Sequence, residues 1–156
     1  MQIYVMRHGQ AEMMAPSDAQ RKLTGVGHRQ SEQMAGYFSE KGVAFDAALI
    51  SPYIRAQQTF AAVAPYFSKI KNQQTLKFLT PSGSATKTVN EIMALQASGV
   101  KSVLIVSHLP LVGYIVGELV PSAGVPEFST STIAHITLDD QGFATLNSLT
   151  APSSMF

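Results

Sequence analysis

The sequence predicts an α/β domain with three layers, α/β/α, around a largely parallel central sheet that ends in a C-terminal antiparallel hairpin. Three observations predict it. Short apolar runs at 3–6, 45–50 and 102–106 each stop on polar turn residues. Segments of helical periodicity separate them, the alternation expected of strand–helix–strand units. Near the end, Asp139-Asp140-Gln141-Gly142 interrupts two further short runs, at 132–138 and 143–149, which is a hairpin signal.

The first run carries four consecutive apolar residues and then Arg7-His8-Gly9. A half-exposed strand alternates apolar with polar residues, so an unbroken run is expected to be buried on both faces. Gly9 has no Cβ and lets the backbone approach a bound group closely. After a loop through Pro16 and Asp18, Thr24 is expected to N-cap a helix with Met34, Tyr37 and Phe38 inward and Gly42 as its stop. The second run ends on Ser51-Pro52, read as N-cap and N1 of a helix continuing through Tyr53, Ala56, Phe60, Val63, Ala64 and Phe67. Arg55 then falls in that helix's first turn, where free N–H groups already favour an anion.

Leu76 to Leu79 is read as a third strand, followed by a turn through Pro81 and Gly83 and a helix on Val89, Ile92, Met93 and Leu95, stopped at Gly99. The run at 102–106 leads into Ser107-His108-Leu109-Pro110 and an apolar helix over 111–120. Residues 1–150 are expected to form a single domain, with a frayed tail at 151–156.

Right-handed crossovers make successive parallel strands point the same way, so their C-terminal ends share one rim. In open α/β sheets that rim binds ligands. Arg7, His8, Arg55 and His108 all lie at or just past strand ends, brought together by topology. Two guanidinium forks suit tetrahedral oxyanions, and two imidazoles offer a nucleophile and a proton donor. Phosphate is the obvious ligand.

Bulk composition narrows the classes. Eleven Lys and Arg against ten Asp and Glu leave a net charge of +1, with no general pull toward nucleic acid or an anionic membrane. With no cysteine there is no disulfide framework or thiolate nucleophile. The histidines lack ligand partners at metal spacing, and two arginines repel a divalent ion, so no metal is expected. No G-x-G-x-x-G follows a strand, so no dinucleotide site is expected. His135 is read as structural, His28 as solvated and the seven methionines as core filler and surface scatter. The start of the chain does not read as a secretion signal, and the longest apolar stretch is too short and too interrupted to span a bilayer. A cytoplasmic monomer is expected.

Arg7-His8-Gly9 after a strand, Leu23-Thr24 with Gly27 opening a helix, Ser51-Pro52-x-x-Arg55-Ala56-x-Gln58-Thr59, and Ser107-His108 after a strand resemble the histidine phosphatase superfamily, which includes phosphoglycerate mutases and acid phosphatases. The short length, the run from Ser107 to Leu119 and the Leu79-Thr80-Pro81-x-Gly83 turn resemble most closely its small bacterial phosphohistidine phosphatases. The resemblance covers nearly the whole chain. It implies a phosphoglycerate-mutase-like fold and no cofactor. His8 would be the nucleophile, forming phosphohistidine, with Arg7, Arg55 and His108 clamping the phosphoryl oxygens. Gly9, Arg21, Ser51 and Leu109 are assigned to substrate binding.

One departure is informative. Larger members supply a proton-donating carboxylate, but residues 76–83 contain no Asp or Glu, and Gln10 after the RHG motif is no acid. There is also no room for a helical lid. An open groove and a phosphohistidine-containing signalling or phosphotransfer protein, as in two-component signalling, are therefore the expected substrate. The alternatives are a phosphatase of small esters and a non-catalytic phosphoprotein-binding module. The second has no use for two histidines where arginines would serve.

Overall fold

The computed structural model describes residues 1–155. Six strands form one sheet: β1 (Gln2–Arg7), β2 (Ala47–Ile50), β3 (Asn72–Thr75), β4 (Ser102–Ser107), β5 (Ile133–Leu138) and β6 (Ala144–Thr150), in the order β3-β2-β4-β1-β5-β6. β3, β2, β4 and β1 pair in parallel, while β5 runs antiparallel to both β1 and β6. The helices are α1 (Gly25–Glu40), α2 (Ile54–Val63), α3 (Ala85–Ala97) and α4 (Leu111–Leu119).

The unbroken apolar strands divide their side chains between two cores. Ile3, Val5, Val103 and Ile105 face Ile92, Leu95, Ile115 and Val116 of α3 and α4. Tyr4, Met6, Leu104 and Val106 face Met34, Phe38, Ala56 and Phe60 of α1 and α2. Burial on both faces explains why these strands show no alternation. Capping also follows the sequence: the Thr24 hydroxyl accepts from Gly27 N at 3.0 Å, and Gly42 and Gly99 take positive φ just past α1 and α3.

Four local expectations are corrected. The third strand is 72–75, before the apolar residues and not on them. Its NQQT sequence is largely exposed at the sheet edge, and Leu76, Phe78 and Leu79 enter the core from the 3-10 turn Lys77–Leu79. α2 begins at Ile54, two residues later than a Ser51 cap implies, although the Ser51 hydroxyl accepts from Tyr53 N at 3.2 Å as well as meeting His108. Met93 is 37% exposed and stands off the inward stripe of α3. The tail is not frayed: Pro152 is buried in a 3-10 turn and Met155 packs on the α1–α2 core. Residue 156 of the expected tail lies outside the described residues. Among the described residues, no helix is long and apolar enough to cross a membrane.

α1 follows β1 onto one face, whereas α4 follows the adjacent β4 onto the other. The connections therefore diverge between two neighbouring parallel strands, which opens a crevice at their C-terminal ends. Two connections at this rim are short, three residues at 51–53 and three at 108–110, whereas the 8–24, 76–84 and 120–132 segments are longer.

Candidate active site

His8 leaves β1 with its main chain still in the ladder: its N–H donates to Ser107 O at 2.9 Å, and its carbonyl accepts from Ser131 N at 3.1 Å. The ring is 5% exposed. Nδ1 lies 2.7 Å from the Gly9 carbonyl, which can only accept, so Nδ1 carries the proton. Arg55 Nε donates to Nε2 at 3.2 Å, which requires a lone pair there. Both contacts specify the same neutral tautomer. Burial pushes the His8 pKa down to about 4; the Gly9 carbonyl opposes this, while the Arg55, Arg7 and Arg21 charges add to it. The imidazole is thus unprotonated at Nε2 at neutral pH and surrounded by cations.

His108 follows β4 and is 1% exposed, with its ring centroid 5.0 Å from that of His8. Its Nε2 meets Ser51 Oγ at 2.7 Å. That hydroxyl accepts from Tyr53 N at 3.2 Å and can donate to Nε2, in which arrangement the ring's single proton sits on Nδ1. Burial first, and then the neighbouring His8 and Arg55, lower the His108 pKa steeply. Nδ1 is buried with no partner, and so is Arg7 Nε. Arg7 is held from behind, its Nη1 donating to Phe128 O at 2.9 Å. Buried donors are rarely left unpaired, so two of them beside an imidazole lone pair mark a site for oxyanion oxygens.

The structure brings Arg7, His8, Gly9, Ser51, Arg55 and His108 together, as their motifs imply. Arg21 does not touch the imidazoles: its Nε donates to Glu12 O at 2.7 Å and its Nη1 to Asp18 at 3.0 Å, which places it at the rim. Leu109, next to His108, lines a cavity of about 570 Å³ with Pro110, Gly113 and Phe128. Two hollows of similar size lie between α1 and α2 and beside the tail; neither is lined by Arg7, His8, Arg55 or His108.

Two residues received no role in the sequence reading. Thr59, which closes the Ser51–Thr59 motif, accepts from Gly9 N at 2.9 Å and donates to the Arg55 carbonyl at 2.7 Å, tying α2 to the turn after His8. Its signal was available, since it stands four residues after Arg55 on the same helix face. Asp18 binds both η nitrogens of Arg55, through its main-chain carbonyl at 2.6 Å and its carboxylate at 3.1 Å. It comes from a surface loop with no motif of its own. His135, by contrast, is structural as expected, stacked on Tyr4 and bonded to Gln2 at 2.6 Å.

Comparison with known proteins agrees with this arrangement. The model of the histidine phosphatase superfamily (branch 1) matches residues 3–77. The phosphohistidine phosphatase SixA of Escherichia coli (strain K12) is 41% identical over 155 residues, covering 99% of this chain and 96% of the relative. This chain belongs to the histidine phosphatase superfamily. A SixA homolog of Haemophilus influenzae is also 41% identical, over 89% of each chain. A solved structure of the protein histidine phosphatase SixA complexed with tungstate superposes with a TM-score of 0.96 at 40% identity, covering 100% of both chains. Within this superfamily the local motifs quoted above are therefore those of a full-length match, not isolated coincidences.

Proposed function

We propose that this protein removes the phosphoryl group from phosphohistidine on another protein, through a phospho-His8 intermediate and without a metal. The observation that carries the reading is the His8 tautomer: Nδ1–H rests on the Gly9 carbonyl, and Nε2 keeps its lone pair, on which the Arg55 Nε–H rests. The near full-length likeness to SixA supports the substrate class.

In the first step His8 Nε2 attacks phosphorus in line, and the P–N bond to the substrate imidazole breaks. The substrate ring, protonated as the phosphoramidate, departs neutral. Arg7 Nε, His108 Nδ1 and Arg55 Nε stabilise the equatorial oxygens, where charge is spread in the transition state. Water then attacks the phosphoenzyme, releasing phosphate and the His8 lone pair. Gly9 and Ser51 set the two imidazoles, and Arg21 and Leu109 border the substrate.

The leaving group decides between substrates. An alkoxide needs a proton in the transition state. Asp18 is the carboxylate bonded to the pocket arginines, yet its bonds to Arg21 and Arg55 hold its pKa below the usual carboxylate range, so at neutral pH it accepts and does not donate. Imidazole, with an unperturbed pKa of about 6.5, leaves without such help. The short rim connections admit a histidine projecting from a folded partner. We place the protein in the cytoplasm as a monomer of one domain, 1–150, acting on a phosphotransfer or signalling protein of the two-component kind.

The test compares kcat/KM for a phosphohistidine protein with that for a phosphoserine peptide, in chelator. Faster turnover of the phosphoramidate, with acid-labile and base-stable phosphate trapped on His8, is expected. Equal hydrolysis of the ester means that a proton donor operates and the substrate assignment fails. A divalent ion that restores activity after chelation ends the metal-free reading.

A further inference from the structure

Arg55 is expected to grip a phosphoryl oxygen, yet each of its three nitrogens already donates a hydrogen bond in this structure. Its Nη1 and Nη2 are committed to Asp18 and its Nε to His8. An unrestrained guanidinium offers an oxyanion its two-pronged edge, which gives the tightest hold. Here one N–H on every nitrogen is occupied.

We propose that Asp18 is a positioning residue for Arg55: its carbonyl and carboxylate hold the η nitrogens so that Nε faces His8, and its charge limits how tightly the pocket grips a free oxyanion. The inference rests on the reading of His8 as the nucleophile and adds a residue to it. Three arginines, Arg7, Arg21 and Arg55, surround the pocket, and among the described residues Asp18 makes every salt bridge found there. Without it the site holds three uncompensated charges, which would slow release of the phosphate dianion. With it, Arg55 arrives oriented, and the Nε–H that rests on the nucleophile's lone pair is the donor that an incoming oxygen takes over. Orientation of this kind lowers the barrier because no reorganisation is needed at the moment of transfer.

The two contributions separate by mutation. Asp18→Asn retains the main-chain carbonyl and a side-chain acceptor but removes the charge. Asp18→Ala removes the side-chain acceptor as well. Wild type and both variants are compared for kcat and KM on p-nitrophenyl phosphate, whose phenolate needs no acid to leave, and for inhibition by tungstate. The carboxylate is 53% exposed, so solvent screens it and the effect on affinity is moderate. Tungstate is expected to bind roughly three- to fivefold tighter in both variants. The fall in kcat should be small in Asp18→Asn and about tenfold in Asp18→Ala. A merely structural role would weaken anion binding along with turnover. Unchanged or weaker tungstate inhibition in Asp18→Asn, with the wild type inhibited, overturns this inference alone. A wild-type protein that tungstate does not inhibit overturns the reading of the site and this inference with it.

Discussion

At the back of the pocket, Arg7, His8 and His108 follow two neighbouring strands and are fixed by buried main-chain bonds, whereas at its rim Asp18 and Arg21 stand on a surface loop. The His8 main chain spans from the β4 end to Ser131, and Phe128 O holds Arg7 from behind. The rim pair is 53% and 27% exposed and is joined to the pocket only through Arg55 and Glu12. Position at the back follows from the sheet itself, so a substitution there removes a function without moving its neighbours. Position at the rim follows from a few solvated side-chain bonds, so a substitution there changes strength and geometry by degrees.

The largest expected effect belongs to the back wall. His8→Ala should abolish turnover and phosphoenzyme formation while the thermal melt remains cooperative, because the ladder bonds are made by the main chain. Residual turnover near the wild-type rate would remove His8 from the mechanism. Arg55→Ala cuts the one side chain that joins back and rim, and loses a charge-assisted contact to the oxyanion. Tungstate affinity should fall on the order of tenfold to a hundredfold, as measured by inhibition. Unchanged affinity would place Arg55 outside the anion site.

A pH profile sharpens the contrast further. His8 is pushed down from 6.5 to about 4, so its neutral, nucleophilic form persists well below pH 6. With p-nitrophenyl phosphate, the acid limb of kcat/KM that reports the enzyme's own base should lie near pH 4 and not near 6.5. The same shift has a cost in stability. The unfolded chain takes up this proton at about 6.5 and the folded chain only near 4, so stability that is fully present above pH 6.5 is lost as pH falls through that window. The loss is roughly 3 kcal/mol for His8, and His108 contributes in the same direction. Denaturant midpoints at pH 7 and pH 5 would show it. His8→Ala should flatten the dependence, and an equal slope in that variant would contradict it.

This contrast also explains what could be read in the chain beforehand. Residues at the back stand directly after apolar runs buried on two faces, so the pattern that locates a strand also locates the ligand rim. That is how Arg7, His8 and His108 were found, and Arg55 followed from the first turn of α2. The edge strand Asn72–Thr75 was missed for the opposite reason. Exposed and polar, it pairs on one side only and carries no apolar signal, while Leu76 and Leu79 carry that signal from a turn. Burial is what apolar residues report, not strand geometry. Asp18 was illegible because nothing local marks it: its partner Arg55 is 37 residues away, and the loop that carries it has an ordinary polar composition. The burial of Pro152 and the packing of Met155 on the α1–α2 core are likewise a long-range outcome of a short terminal segment.

The smallest expected effects come from a pair of substitutions that place the two regions side by side. Ser51→Ala removes the hydroxyl bonded to His108 Nε2 at 2.7 Å in a buried setting and leaves that nitrogen unpaired. The desolvated group then carries its full penalty, about 1–3 kcal/mol of stability, and the proton is no longer directed to Nδ1, so turnover falls as well. Arg21→Ala removes the Asp18 salt bridge at 3.0 Å and the bond to Glu12 O, both at the surface. Solvent screening limits that exposed ion pair to well under about 1 kcal/mol. The change in turnover should stay within roughly fivefold, and added salt should erase part of it. Denaturant melts and kcat measured at low and high ionic strength decide the matter. If Arg21→Ala costs as much as Ser51→Ala, and the loss is insensitive to salt, then the rim is as rigidly built as the back and the distinction between them does not hold.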